Sequence, residues 1–101
     1  MGFEILQTDI HLNNPHSAGS PFKIDYRVSN LGPDDPGHVD HIQVWGSDGT
    51  QHVNERRDIQ PTQTGQRYGV IVDIPALPAG IYDISITLPD GSAAGSSIVV
   101  Q

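Results

Sequence analysis

The stretch Leu77-Pro78-Ala79-Gly80-Ile81-Tyr82, continued by Asp83-Ile84-Ser85-Ile86-Thr87-Leu88, decides the fold of this chain. Proline and glycine two residues apart favour a tight turn, because proline fixes φ and glycine tolerates conformations that other residues avoid. Apolar and polar residues then alternate, which is typical of a strand with one buried face. The stretch therefore predicts a turn that leads Tyr82 into a core, with Leu77 and Gly80 as its other structural residues.

This turn resembles the tyrosine corner of immunoglobulin-like sandwiches, in which the ring is buried and the hydroxyl bonds to upstream backbone. The period of two continues through the chain and predicts seven strands. They are expected at residues 3–12, 22–30, 38–45, 50–55, 66–74, 81–88 and 97–100. The sequence predicts an all-β fold, an immunoglobulin-like β-sandwich of about seven antiparallel strands in two sheets, with residues 1–101 as one domain.

Three segments interrupt the alternation. The polar residues Gln7-Thr8-Asp9 break the phase of the first strand and predict a bulge or a switch between sheets. Residues 13–21 contain Asn-Asn-Pro and Gly-Ser-Pro and are expected to form a loop. A second, polar loop is expected over residues 56–64.

Composition excludes several classes of protein. The chain of 101 residues has no cysteine, so a disulfide and a thiolate zinc site are ruled out. Twelve acidic against five basic residues give a net charge of −7. Nucleic acids and anionic membranes bind basic surfaces, and a chain with this charge is not expected to have one. We therefore expect neither nucleic acid nor a membrane as a partner.

Targeting signals are also missing from the sequence. The first residues carry no basic region and no long apolar run, and no stretch reaches membrane-spanning length. Two locations remain open. The protein acts where it is made, including inside an assembling particle, or it is a module cut from a longer secreted chain.

A succession of short motifs resembles the bacterial CARDB-type domains, which are immunoglobulin-like modules related to cell adhesion. The motifs are Val28-Ser29-Asn30-Leu31-Gly32, Ile42-Gln43-Val44-Trp45, Ser47-Asp48-Gly49, residues 59–66 and the Leu77–Tyr82 turn. The resemblance spans residues 22–100. Its motifs are short and turn-based, so the resemblance implies the fold far more specifically than the function. This chain departs from the family by one extra residue before Asp48-Gly49, and by opening with Met and standing alone, whereas such domains usually occur in tandem in secreted proteins.

Clusters of chemically active residues are few. On a strand, His38 and His41 of His38-Val39-Asp40-His41 point to opposite faces, so we interpret the cluster as a polar strand start and expect no metal site. Asn30, Asp34 and Asp35 lack the alternating acidic pattern of a calcium loop and are explained by turn formation. The scattered histidines approach no nucleophile motif. We expect no catalytic residues, no cofactor and no enzymatic activity.

Trp45, the single tryptophan, is the main candidate for binding. If Ile42 and Val44 face the core, Trp45 lies on the outer face with Gln43 and His41, where an exposed tryptophan often marks an interface. A bulge near the strand end would instead turn Trp45 into the core, and the sequence leaves both orientations open. Ile71 and Ile81 are also out of phase with their buried neighbours and extend the expected apolar outer surface.

These features together predict a structural or interaction module that binds protein partners. The expected roles are a small assembly or decoration subunit of a phage capsid or other large particle, or a bacterial adhesion module. The alternative is a carbohydrate-binding module that uses Trp45 as a stacking platform with Gln43 and His41. A metal-dependent activity ranks third.

Overall fold

The computed structural model of the protein describes residues 2–5, 9–11 and 18–101. These residues form eight strands: β1 (Phe3–Glu4), β2 (Ile10–His11), β3 (Phe22–Asn30), β4 (His38–Gly46), β5 (Gln51–Ile59), β6 (Arg67–Ile74), β7 (Gly80–Thr87) and β8 (Ala93–Val100). Within the described ranges, no helix has the length and apolar character needed to cross a membrane.

The strands pair antiparallel in two sheets. In the first sheet, β3 pairs with β6 along its length and with the short strands β1 and β2 at two points. The second sheet has the order β5-β4-β7-β8. Alternate residues of both sheets meet in one core, whose most deeply buried apolar side chains are Ile24, Tyr26, Val28, Ile42, Val44, Val72, Ile74, Ile84, Ile86 and Ile98. The fold is an immunoglobulin-like β-sandwich, as the sequence predicts.

The expected first strand is divided into β1 and β2. Both pieces pair with β3, Phe3 opposite Asn30 and Ile10 opposite Tyr26. Seven residue steps from Phe3 to Ile10 therefore correspond to four steps along β3, from Asn30 to Tyr26. A switch between sheets is not observed for these two strands. The expected bulge at Gln7 and Thr8, and most of the expected loop at 13–21, lie outside the described residues.

Two strands are longer than the sequence predicts. The expected loop at 56–64 is wrong in its first part, because β5 continues to Ile59, with Arg57 opposite Asp40 of β4. Charged side chains are common on edge strands such as β5, where they hinder pairing with another chain. Strand β8 begins at Ala93 and not at Ser97, because its small residues Ala93 to Ser96 still pair with the backbone of β7.

The tyrosine corner occurs where the chain crosses from β6 in the first sheet to β7 in the second. The Tyr82 ring is buried, and its hydroxyl donates a hydrogen bond of 2.6 Å to the carbonyl oxygen of Pro78. Leu77 is buried at the same crossing. A Cβ atom at Gly80 would lie 3.7 Å from the Tyr82 ring, so this glycine packs directly against the aromatic face. These contacts fix the path between the two sheets.

Removal of only the hydroxyl, in Tyr82→Phe, is expected to lower the free energy of unfolding by about 0.5–3 kcal/mol, the range for a lost buried hydrogen bond. The matched control is Ser97→Ala, which removes the exposed hydrogen bond of 3.1 Å from Ser97 Oγ to Asp83 Oδ1. The control should change stability by less than about 0.5 kcal/mol. Urea unfolding monitored by circular dichroism measures both, and an unchanged midpoint in Tyr82→Phe would rule out a stabilising role for the bond.

Candidate functional site

The outer face of the second sheet carries the candidate binding residues of β4. Ile42 and Val44 are fully buried, and the intervening residues His41, Gln43 and Trp45 point outward. The pairing of β4 with β5 shifts register between Val44 and Trp45, but the pairing with β7 continues without a break. Trp45 therefore keeps its outward phase and is exposed. Of the two orientations that the sequence left open, the structure has the outward one.

Three exposed apolar side chains lie close together at this end of the sheet, and we refer to Trp45, Ile81 and Val99 as the Trp45 patch. Their exposed fractions are 37%, 56% and 43%. Ile81 of β7 pairs directly with Val99 of β8. Trp45 pairs with Asp83, which places Ile81 on the diagonal, within reach of a large aromatic side chain. The patch runs across three adjacent strands.

Polar and acidic groups lie next to the Trp45 patch on the same face. Asp83 lies directly opposite Trp45 on the outer face. The exposed Asp48 follows in the turn after β4, and its carboxylate lies beside Gly46, on the other side of the strand from Trp45. The backbone N–H of Thr50 donates to Asp48 Oδ1 at 3.0 Å and lowers the pKa of this carboxyl, which keeps it ionised. Farther along the same face, Gln43 and His41 are half-buried, and His41 is hydrogen-bonded to Asn54. The face combines an apolar end with a polar continuation.

The expected set of binding residues does not form one surface. Ile71 is exposed but lies on β6 in the first sheet, opposite Asp25 of β3, so it faces away from Trp45 and Ile81. Val99, conversely, belongs to the patch and was missed. Its signal is present in the sequence, because its neighbours Ile98 and Val100 are both core residues, and alternation therefore directs Val99 outward.

A second feature, which the sequence analysis missed, is a buried polar cluster around Asp40. Asp40 is 0% exposed and faces inward in register with Ile42. The hydroxyls of Tyr26 from β3 and Tyr68 from β6 each donate a hydrogen bond of 2.8 Å to its Oδ2 atom. Because Asp40 belongs to the second sheet and both tyrosines to the first, these bonds join the two sheets through the core.

His38 extends this cluster toward the turn before β4. Its Nε2 atom lies 2.9 Å from Asp40 Oδ1 and 3.0 Å from the Tyr68 hydroxyl. Its Nδ1 atom lies 2.8 Å from Asp35 Oδ2, which also accepts the backbone N–H of Gly37 at 3.0 Å. The ring of Phe3 packs on the His38 ring at a centroid distance of 4.6 Å. We refer to Asp35, His38, Asp40, Tyr26 and Tyr68 as the Asp40 cluster.

The order Asp35, His38, Tyr68 resembles an acid, a base and a hydroxyl in a nucleophile-activating arrangement, but the electrostatics oppose this chemistry. Burial, and then the nearby charge of Asp40, raise the pKa values of Tyr26 and Tyr68 well above that of a free tyrosine. An activated nucleophile needs the opposite shift. The two hydroxyls therefore act as hydrogen-bond donors to Asp40.

The candidate calcium residues serve the loop between β3 and β4. Asn30 donates to the Pro33 carbonyl at 3.1 Å and accepts the backbone N–H of Gly32 at 3.0 Å. Asp34 Oδ1 accepts the backbone N–H of Thr64 at 3.0 Å. In residues 2–5, 9–11 and 18–101, no three or more His, Asp or Glu side chains are grouped so as to hold a metal ion.

Comparison with known proteins identifies the fold. No family model and no curated protein matches the chain. Among solved structures, the CARDB domain of a Pyrococcus furiosus protein, crystallised in complex with di-metal ions, has a TM-score of 0.67 at 14% identity and covers 98% of this chain and 87% of its own. The chain thus has the fold of a CARDB-type immunoglobulin-like domain, in agreement with the resemblance in its motifs.

The same fold occurs as a small part of larger enzymes. A Paenibacillus cycloisomaltooligosaccharide glucanotransferase in complex with cycloisomaltoheptaose gives a TM-score of 0.75 at 15% identity, over 97% of this chain. A Listeria innocua β-glucosidase in complex with gluconolactone gives 0.70 at 10% identity, also over 97%. The match spans only 14% and 16% of these enzyme chains, respectively. The similarity therefore concerns one domain of each enzyme.

Proposed function

We propose that this protein is a non-catalytic interaction module that binds a protein partner through the Trp45 patch. The observation that carries the proposal is the exposure of Trp45, Ile81 and Val99 on three adjacent strands. Exposed apolar side chains that are clustered, and not scattered singly, mark binding surfaces. Tryptophan is also the residue type most enriched among interface residues that dominate binding energy.

The residues next to the patch favour a specific contact over nonspecific hydrophobic association. Trp45 supplies a large apolar surface with little side-chain entropy to lose, and acidic Asp83 lies at its border. Such a patch suits a partner that offers an apolar pocket with basic groups at the rim. Assembly into a particle, as a decoration subunit, or adhesion at a bacterial surface would both use this kind of contact.

Carbohydrate binding is the second candidate function. Gln43, Ser85 and Asn54 form a polar row across three strands, next to Trp45 on the same face. A sugar ring stacked on the indole would have these groups within reach as hydrogen-bond partners. The occurrence of this fold within two sugar-acting enzymes supports the idea, but the aliphatic side chains of Ile81 and Val99 suit a protein surface better.

Trp45→Ala is expected to weaken binding at least tenfold, because the truncation removes a central anchor worth about 2 kcal/mol or more. Sedimentation of an extract from the source organism first identifies the large assembly that carries the native chain. This assembly is then freed of the native chain and mixed with the recombinant protein, and rebinding is measured. Ile81→Ala should weaken rebinding less. The matched control Ile71→Ala, an exposed isoleucine on the opposite sheet, should rebind normally.

The melting temperature of Trp45→Ala should stay within a few degrees of that of the wild type. A loss of binding can then not be attributed to a loss of folding. Equal rebinding by wild type and Trp45→Ala would refute the proposal. A native chain that is monomeric in the extract, and that is retarded on polysaccharide gels only when Trp45 is present, would favour the carbohydrate function instead.

A further inference from the structure

We infer that His38 is held in its doubly protonated, positively charged form, and that this bound proton completes the polar contact between the two sheets. The side chain is only 5% exposed and lies between two carboxylates, with Nδ1 2.8 Å from Asp35 Oδ2 and Nε2 2.9 Å from Asp40 Oδ1. A carboxylate oxygen can only accept hydrogen bonds. Both ring nitrogens must therefore carry a proton for both contacts to be hydrogen bonds.

A neutral imidazole leaves one of these contacts without a proton. If Nδ1 were bare, its lone pair would face Asp35 Oδ2 at 2.8 Å. If Nε2 were bare, the Tyr68 hydroxyl at 3.0 Å would have to turn from Asp40 to His38 to supply a proton. A hydroxyl has one proton, so Asp40 would lose one of its two hydroxyl donors. Each neutral form therefore sacrifices a buried hydrogen bond that the charged form keeps.

The charges that face the cluster favour the same assignment. Asp35 and Asp40 bring two negative charges, and Tyr26 and Tyr68 are neutral donors from β3 and β6. From β5, Arg57 lies opposite Asp40, but its Nε atom is 3.5 Å from Glu55 Oε1, so these two charges largely offset each other. A positive His38 reduces the buried charge from two negatives to one. Because unpaired buried charges are costly, this compensation stabilises the charged form.

Loss of either ring proton breaks a contact of His38. Loss from Nδ1 breaks the contact with Asp35, and loss from Nε2 affects the joint between the sheets. His38 and Asp40 belong to the second sheet and Tyr68 to the first, so a turn of the Tyr68 hydroxyl toward His38 removes a bond that crosses the core. The contribution that depends on this proton is present only while His38 is charged, so it is absent once the proton has been released in more alkaline solution.

Nitrogen-15 NMR of histidine-labelled protein tests the assignment directly. In the folded wild type at neutral pH, both ring nitrogens of His38 should show the chemical shifts and proton couplings of protonated nitrogens. Asp35→Asn removes one carboxylate but keeps the shape, so the second proton of His38 should leave at a lower pH in this variant. A His38 with one bare nitrogen at neutral pH, whether or not a neighbouring carboxyl has become protonated, would overturn the inference.

Stability supplies an independent measurement. The melting temperature of the wild type is followed from about pH 5 to about pH 9, which covers the range where histidines usually change charge. His38→Gln should lower the melting temperature by about 10 °C at the acidic end and by less at the alkaline end. The control His41→Gln, on the outer face of the same strand, should follow the wild-type pH dependence. If His38→Gln does not fold, Asp35→Asn replaces it, and a wild-type pH dependence in that variant would count against the inference.

Discussion

Replacement of Asp40 by alanine should be the most damaging single substitution in this protein, with an expected loss of about 3–5 kcal/mol in the free energy of unfolding. The carboxylate is fully buried and is the common acceptor for Tyr26, Tyr68 and His38. Without it, the hydroxyls of Tyr26 and Tyr68 lose their common acceptor in the core, and each such group costs free energy. Since small domains have only about 5–15 kcal/mol of stability, a large part of the total is lost.

A graded series separates the effect of charge from that of shape. Asp40→Asn keeps an oxygen that can accept the tyrosine hydroxyls, so it should cost less than Asp40→Ala. The control Asp58→Asn changes an exposed aspartate on the edge strand β5 and should stay within about 0.5 kcal/mol of the wild type. Guanidinium unfolding gives all three values. Near-wild-type stability of Asp40→Ala would show that the cluster contributes little to the fold.

The inward position of Asp40 could be predicted from the sequence, but its role could not. Asp40 alternates in phase with Ile42 and Val44, so the pattern that identifies β4 also directs this carboxylate into the core. The partners that make its burial tolerable, Tyr26 and Tyr68, come from the opposite sheet. Period-two patterns fix which face a residue occupies, but they contain no information about how one sheet is positioned over the other.

The Trp45 patch shows a similar limit to what the sequence pattern predicts. Alternation correctly separated Ile81 from its buried neighbours, yet it grouped Ile71 with Trp45 although they occupy opposite sheets. The orientation of Trp45 could not be decided in advance, because the bulge lies directly before it. The bulge affects only the pairing with β5, and the ladder with β7 keeps the phase. Which of two neighbouring ladders a bulge disrupts depends on the paired strands and not on local sequence.

Strong alkali should unfold this protein, because only the unfolded chain can release the protons of Tyr26 and Tyr68. Burial and the charge of Asp40 raise the pKa values of Tyr26 and Tyr68 in the folded state, whereas an unfolded tyrosine titrates near pH 10. Below about pH 10 both states keep these protons, and stability is unaffected. Above it, only the unfolded chain releases them, so the free energy of unfolding falls by up to about 1.4 kcal/mol per pH unit for each tyrosine.

The two slopes together predict a loss of up to about 2.7 kcal/mol for each pH unit above about 10, enough to exhaust the stability of a small domain within a few units. Tyrosinate absorbance from Tyr26 and Tyr68 should then appear together with the loss of circular dichroism, because these hydroxyls ionise only on unfolding. Tyr68→Phe should be less stable than the wild type near neutral pH, since it removes a bond to Asp40, yet lose stability about half as steeply in alkali. Tyr82→Phe, which leaves the Asp40 cluster intact, should retain the steep alkaline loss. Phenolate absorbance that reaches its full amplitude while the circular dichroism is still native would show that neither tyrosine is protected by Asp40.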